Sequence, residues 1–289
     1  MIYIQRSETP PVLDLEDSNS VGSKEYTEAI KHFEDKDRNF TFRAYKEVKD
    51  VLEVMFNSKC AYCESDISPV SYGDIEHFRP KSAYHTTKAE TLKYPGYYWL
   101  AMDWNNLLLS CEVCNRTYKK NQFPLVDEAK RKKKYDEEVI EEPLLIDPCD
   151  ASSNPQDHIN FTEEGLVEYT LGGRCKGKKS IEVYGLDNPK LTRKRKKLAK
   201  EISDKKSQVL RYMDNIRALL ATPLPGELKS VLENNFIDLE TVYKSIKNLN
   251  LPTEPYQGLV RNLTAEFLAK YSPIIDKLLF EFHEQKKEE

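Results

Sequence analysis

The sequence predicts an α+β protein: a small cysteine-stapled core of short strands and loops, helices before it, and a helical region after it. Three observations predict this. Two CxxC pairs, Cys60/Cys63 and Cys111/Cys114, bracket one segment of the chain. That segment is poor in helical periodicity and rich in turn residues (Pro69, Gly73, Pro80, Pro95-Gly96). The flanks repeat apolar residues at the 3.6-residue period of a helix buried on one side. Within 289 residues there is room for a small catalytic region with a helical companion. The natural divisions are 1–56 as an N-terminal extension with helices, 57–188 as the core, and 189–289 as the helical region.

In chain order, residues 2–4 predict a short edge strand, and Thr9-Pro10-Pro11 opens an extended connector running to Ser23. Tyr26, Ile30 and Phe33, then Val48, Val51, Leu52 and Met55, predict two helices leading into the first cysteine pair. After Pro124 the chain is charged to Glu142, and Leu144-Leu145-Ile146 predicts a strand stopped by Pro148. Phe161 to Tyr169, with Glu163-Glu164-Gly165 between, reads as a hairpin, and Ile181-Glu182-Val183-Tyr184 alternates like another strand. Three helices follow, about 190–221, 226–249 and 256–286, broken at Pro223-Leu224-Pro225-Gly226 and Pro252-Thr253-Glu254-Pro255.

Composition excludes several classes. No apolar run approaches the roughly 18 residues of a membrane span. The start Met1-Ile2-Tyr3-Ile4-Gln5-Arg6 lacks the features of a secretory signal, which places the chain in the cytoplasm. A net charge of −4 rules out a uniformly basic coat, so any nucleic-acid surface is local.

In a reducing compartment, paired cysteines at short spacing are metal ligands before they are disulfides. Two CxxC knuckles turn four thiolates onto one tetrahedral Zn²⁺. Cys60, Cys63, Cys111 and Cys114 leave such an ion no open position, so it is structural: it clips the chain and performs no hydrolysis. Cys149 and Cys175 have no nearby partner.

Inside the cysteine frame lie Gly73-Asp74-Ile75-Glu76-His77-Phe78-Arg79-Pro80-Lys81 and Asp103-Trp104-Asn105-Asn106, the latter leading through Leu107-Leu108-Leu109 to Cys111-Glu112-Val113-Cys114-Asn115-Arg116. These segments resemble the HNH endonuclease family, whose ββα-metal fold sets a metal ligand beside a general-base His, then an Asn in a turn, then His or Asn on a helix. The match reads His77, Asn106, Asn115. The resemblance implies that His77 is the general base and that Asn106 holds the His77 loop through backbone hydrogen bonds, with Asn105 the nearest alternative. It implies that Glu76 and Asn115 hold one Mg²⁺ or Mn²⁺. The chain departs from many members in carrying Glu at position 76 and Asn as the last letter of the motif.

Beyond the motif, Tyr98-Trp99-Leu100, Phe123-Pro124-Leu125, Leu145 to Cys149, His158 to Phe161 and Gly177 to Leu186 are similar to the HNH nuclease subfamily of Septu-type and retron-associated antiphage defence systems. That resemblance implies control by an ABC-type ATPase partner and a substrate that is DNA or, as the second option, tRNA; the helical apolar spacing of Phe267, Leu268, Tyr271, Ile275, Leu278 and Leu279 fits docking of that partner or an intramolecular bundle.

Arg79, Lys81, Arg116, Lys119 and Lys120 flank the motif and are the candidate phosphate contacts. From Arg174 to Lys206 there are thirteen Lys and Arg against four Asp and Glu, a local excess that fits a nucleic acid, an acidic partner or simple solvation. Tyr94, Tyr97, Tyr98, Trp99 and Trp104 serve either base stacking or the core. The competing functional reading is a zinc-dependent binding or scaffold subunit that recruits nucleic acid without cutting it.

Overall fold

The computed structural model describes residues 1–68, 71–170, 174–221 and 225–288. The expected turn at Pro69 and the break at Pro223-Leu224 lie outside the described residues. The chain divides into two compact units: one of Met1–Asn160 with Val167–Leu191, the other of Phe161–Leu166 with Thr192–Glu289. The N-terminal helices therefore belong to the same unit as the cysteines.

In the first unit, α1 (Val21–Asp35) starts where the Ser20 hydroxyl accepts from the Ser23 amide, an N-cap that satisfies one orphan donor. A short turn of helix (Ala44–Val48) runs into α2 (Lys49–Met55), and Val48, Leu52 and Phe56 are fully buried. The first ten residues form no strand; the Ile4 amide donates to the Pro148 carbonyl at 2.8 Å. Strand β1 (Asp74–His77) pairs antiparallel with β2 (Leu107–Ser110), Glu76 opposite Leu108 and His77 opposite Leu107. A short, wide helix, Val113–Lys119, follows β2, and the Lys120 amide closes it five residues back on the Asn115 carbonyl at 2.7 Å.

Tyr97, Tyr98 and Trp99 are buried and pack on Phe33, Phe123 and one another, and Trp104 is buried beside Arg6 with its indole N–H on the Ser7 carbonyl, which makes all four core; of the five, Tyr94 is exposed. The segment Leu144-Leu145-Ile146 forms no strand: the Leu144 amide meets the Pro124 carbonyl and the Ile146 amide meets the Ser180 hydroxyl. The hairpin forms as β3 (Ile159–Phe161) and β4 (Val167–Tyr169). The expected strand at Ile181–Tyr184 is instead the end of helix α3 (Arg174–Tyr184). Ser180, Val183 and Tyr184 are all buried at positions i, i+3 and i+4, a helical stripe that local alternation concealed.

The second unit holds α4 (Pro189–Leu220, whose first residues lie in the first unit), α5 (Gly226–Leu249) and α6 (Gln257–Glu288). Val209, Met213, Phe236, Tyr243, Ile275 and Phe282 lie in one buried cluster, with the Phe236 and Phe282 rings stacked at 4.3 Å. Among the described residues no helix is long and apolar enough to cross a membrane. Phe236→Ala should cost about 3–5 kcal/mol, as for other buried Phe truncations; a denaturant titration of the variant showing under about 1 kcal/mol would refute this packing.

Candidate metal centre and active site

The knuckle Cys60–Cys63 follows α2 and is tied to the ribbon where the Ala61 amide donates to the Leu109 carbonyl at 2.8 Å. The second knuckle begins one residue after β2 and runs into the wide helix. The register of the ribbon thus brings four sulfurs together, all within 4.8 Å of one another. Cys60, Cys63 and Cys114 are buried and Cys111 is half-buried. Hydrogen bonds from neighbouring thiols hold Cys63 and Cys111 below the ordinary thiol range. Burial raises Cys60, and hydrogen bonding to Cys111 raises Cys114. Four sulfurs at this spacing could hold one metal ion, and a tetrahedral Zn²⁺ would take all four as thiolates with no position left open.

On β1, Asp74 and Glu76 share one strand face, because side chains alternate, and both meet the wide helix. Asp74 accepts from Arg116 at 2.5 and 2.9 Å and from the Asn115 amide group at 3.1 Å. One helical turn on, Lys119 places its ammonium 2.5 Å from Glu76 Oε1 and 3.1 Å from the His77 carbonyl. The Tyr62 hydroxyl donates to the same Glu76 oxygen at 3.3 Å. Glu76 and Lys119 are 4% and 0% exposed, so neither charge is tolerable without the other.

His77, 5% exposed, has its Nε2 3.0 Å from the Ala101 carbonyl and its Nδ1 3.3 Å from Lys81 Nζ. A carbonyl only accepts, so Nε2 carries the proton. Burial, with Lys81 beside it, pushes the imidazole pKa well below its ordinary value; the neutral ring then keeps its lone pair on Nδ1. The Tyr45 ring meets His77 edge-on at 4.7 Å and carries Lys81 Nζ on its face at 4.5 Å. Burial brings Lys81 itself down to about 8.

Asn106 is buried, whereas Asn105 is exposed. The Asn106 Oδ1 accepts from the Arg79 amide at 2.7 Å, and its Nδ2 donates to the carbonyls of Arg79 at 2.9 Å and Leu100 at 3.0 Å. It touches backbone on both sides of the loop that leaves His77. The turn that carries it is held from behind by Arg6, whose guanidinium donates to the carbonyls of Trp104, Asn105 and Leu107.

A cleft of about 240 Å³ is lined by Glu76, His77, Lys81, Asn115, Arg116 and Lys120, among others. The structure therefore brings together both expected metal ligands, the expected base and three of the five expected phosphate contacts. Arg79 and Lys119 are elsewhere, and they correct the sequence reading. Arg79 pairs with buried Glu141 at 3.2 Å and lines a different cleft. Lys119 is sealed under β1 by the Glu76 pair. Sequence reasoning missed Asp74 as a partner of Asn115, although its two-residue spacing from Glu76 was the available signal. For Tyr45 and Arg6, far away along the chain, no local signal exists.

No family model matches the chain, and no solved structure matches it. The chain is 44% identical over 281 residues to a protein of Bacillus mycoides (strain KBAB4) named Septu protein PtuB, covering 96% of this chain and 94% of that one. It is 31% identical over 142 residues to a protein of the same name from Bacillus thuringiensis, covering 48% of this chain and 41% of that one.

Two outcomes are expected here. The purified chain should carry one zinc by elemental analysis, and Cys114→Ser should lose it together with folded structure; a stable zinc-free wild type would contradict the staple. Lys119→Ala should cost about 3–5 kcal/mol by leaving a buried carboxylate unpaired, while Lys120→Ala should stay within about 0.5 kcal/mol; equal effects would return Lys119 to the surface.

Proposed function

The chain belongs to the Septu protein PtuB family, and from that premise we propose that it is a metal-dependent HNH endonuclease that hydrolyses nucleic-acid backbone, with DNA favoured over tRNA. The observation that carries the reading is His77: a buried, neutral imidazole whose proton is committed to the Ala101 carbonyl and whose Nδ1 lone pair faces Lys81 beside the cationic cleft. The order of β1, β2 and a short helix supports a ββα-metal core.

Nδ1 takes the proton of the attacking water, and the Nε2 bond to Ala101 keeps the ring from turning. Lys81 moves from Nδ1 to a phosphate oxygen as the substrate enters, which frees the base. Burial disfavours the Lys81 charge where it rests, so pairing with an anionic phosphate oxygen is favourable, against the loss of its contact with the Tyr45 face. Lys120 holds a phosphate beside the cut, joined by Arg116 through Nη1, since Asp74 takes its Nε and Nη2, and Asn106 fixes the loop without touching substrate. Lys119 and Tyr62 both fall on Glu76 Oε1, so the donors that would hold Mg²⁺ or Mn²⁺ in the cleft are Glu76 Oε2 and Asn115, hard oxygen ligands of the kind these ions select. The Asn115 Nδ2 is spent on Asp74, which leaves its Oδ1 for an ion. A bound divalent ion supplies charge stabilisation at the phosphate and leaving oxygen.

Membership of this family supports a role as the effector of an antiphage defence system, controlled by an ABC-type ATPase partner. His77→Ala should abolish Mg²⁺- or Mn²⁺-dependent cleavage of duplex DNA and tRNA, with zinc content and the circular dichroism of the folded chain retained. Cleavage that survives this substitution, or a wild type inert on both substrates even with the partner ATPase present, would refute the proposal and favour a binding subunit.

A further inference from the structure

In the second unit, α4 carries a ridge that the nuclease reading does not use. Between Pro189 and Lys200 there are seven Lys and Arg and no Asp or Glu. At about 100° per residue, Arg193, Lys194, Lys196, Lys197 and Lys200 fall on one arc and Arg195, Ala199 and Ile202 on the opposite one. The burial follows that division: the five are exposed and the three are buried. The inner face is fixed by the hairpin tip. The Arg195 guanidinium lies over the Phe161 ring at 4.9 Å. Gly165, at φ +76°, comes so close that an added Cβ would lie 2.5 Å from the Lys196 amide nitrogen. The Asn262 side chain holds the Phe161 carbonyl at 3.0 Å. The helix cannot roll to hide its cations.

Among the described residues, Arg193, Lys194, Lys197 and Lys200 have no ion-pair partner, and Lys196 has only the field of Glu164. Farther along, Lys205 is already neutralised by Glu201, so the uncompensated charge stops there. Cations three and four residues apart stand side by side, and the ridge from Arg193 to Lys200 runs about 10 Å along the axis. No aromatic residue interrupts it, so it has no stacking platform for unpaired bases.

We infer that this face of α4 is a second nucleic-acid contact, a sequence-independent grip on the phosphate backbone of duplex DNA, separate from the cleft around His77. It extends the nuclease reading by giving the enzyme a hold on substrate outside its cleft. Binding is read by fluorescence anisotropy of a labelled 20-base-pair duplex against salt, with the full chain in a His77→Ala background so that cutting does not intervene. R193Q/K194Q/K197Q/K200Q should flatten the slope of log K against log salt by up to about 3.6, at about 0.9 per phosphate contact. Helix content and zinc should be unchanged. R193Q/K197Q should give about half that change, and carries the test if the fourfold variant folds poorly. An unchanged slope, tighter binding of the single strand than of the duplex, or a change seen only with polyglutamate would each overturn the inference. Salt-dependent duplex binding that needs α4, in a chain whose wild type never cuts, would uphold this surface while sinking the nuclease reading.

Discussion

The ammonium of Lys119, lodged between the Glu76 carboxylate and the His77 carbonyl, is the contact on which the rest of the site depends. Burying two charges is costly, and the pair repays it only when geometry and extra hydrogen bonds are in place; here the Tyr62 hydroxyl and the His77 carbonyl supply them. The pair joins the strand that carries His77 to the helix that carries Cys114 and Asn115. The four sulfurs close the opposite end of that helix. The four sulfurs, the helix and β1 are thereby tied to one another, the kind of preorganisation that the proposed electrostatic catalysis would require.

Around this assembly the loops are fixed through their backbone. Asn106 spans two segments with three hydrogen bonds, and Arg6 satisfies three carbonyls of the turn behind it. Short strands offer few ladder bonds, so side chains meet the backbone's demand for partners instead. The His77 loop is thus held with little regular secondary structure.

Much of this was legible where the signal is local. The CxxC spacing located the four sulfurs, and the sequence motif named His77 and Asn115, which line one cleft, and Asn106, which ties the loop that leaves His77. The C-terminal helices were readable from their period to within a few residues. Legibility failed where tertiary context overrides local pattern. Ile181–Tyr184 alternates like a strand, yet its buried stripe belongs to a helix. Lys119 reads as a surface cation next to Lys120, and only the fold shows that the wide helix turns one inward and the other outward. Arg6 and Tyr45 reach the site from its N-terminal flank, across a separation in sequence that no motif spans.

If one ribbon and one helix serve two ions with separate duties, Mn²⁺ titration of the zinc-loaded chain followed by electron paramagnetic resonance should show one Mn²⁺ site that weakens in Asn115→Ala while the zinc content stays at one per chain. Mn²⁺ binding unchanged in that variant, or zinc lost with it, would contradict the division of labour.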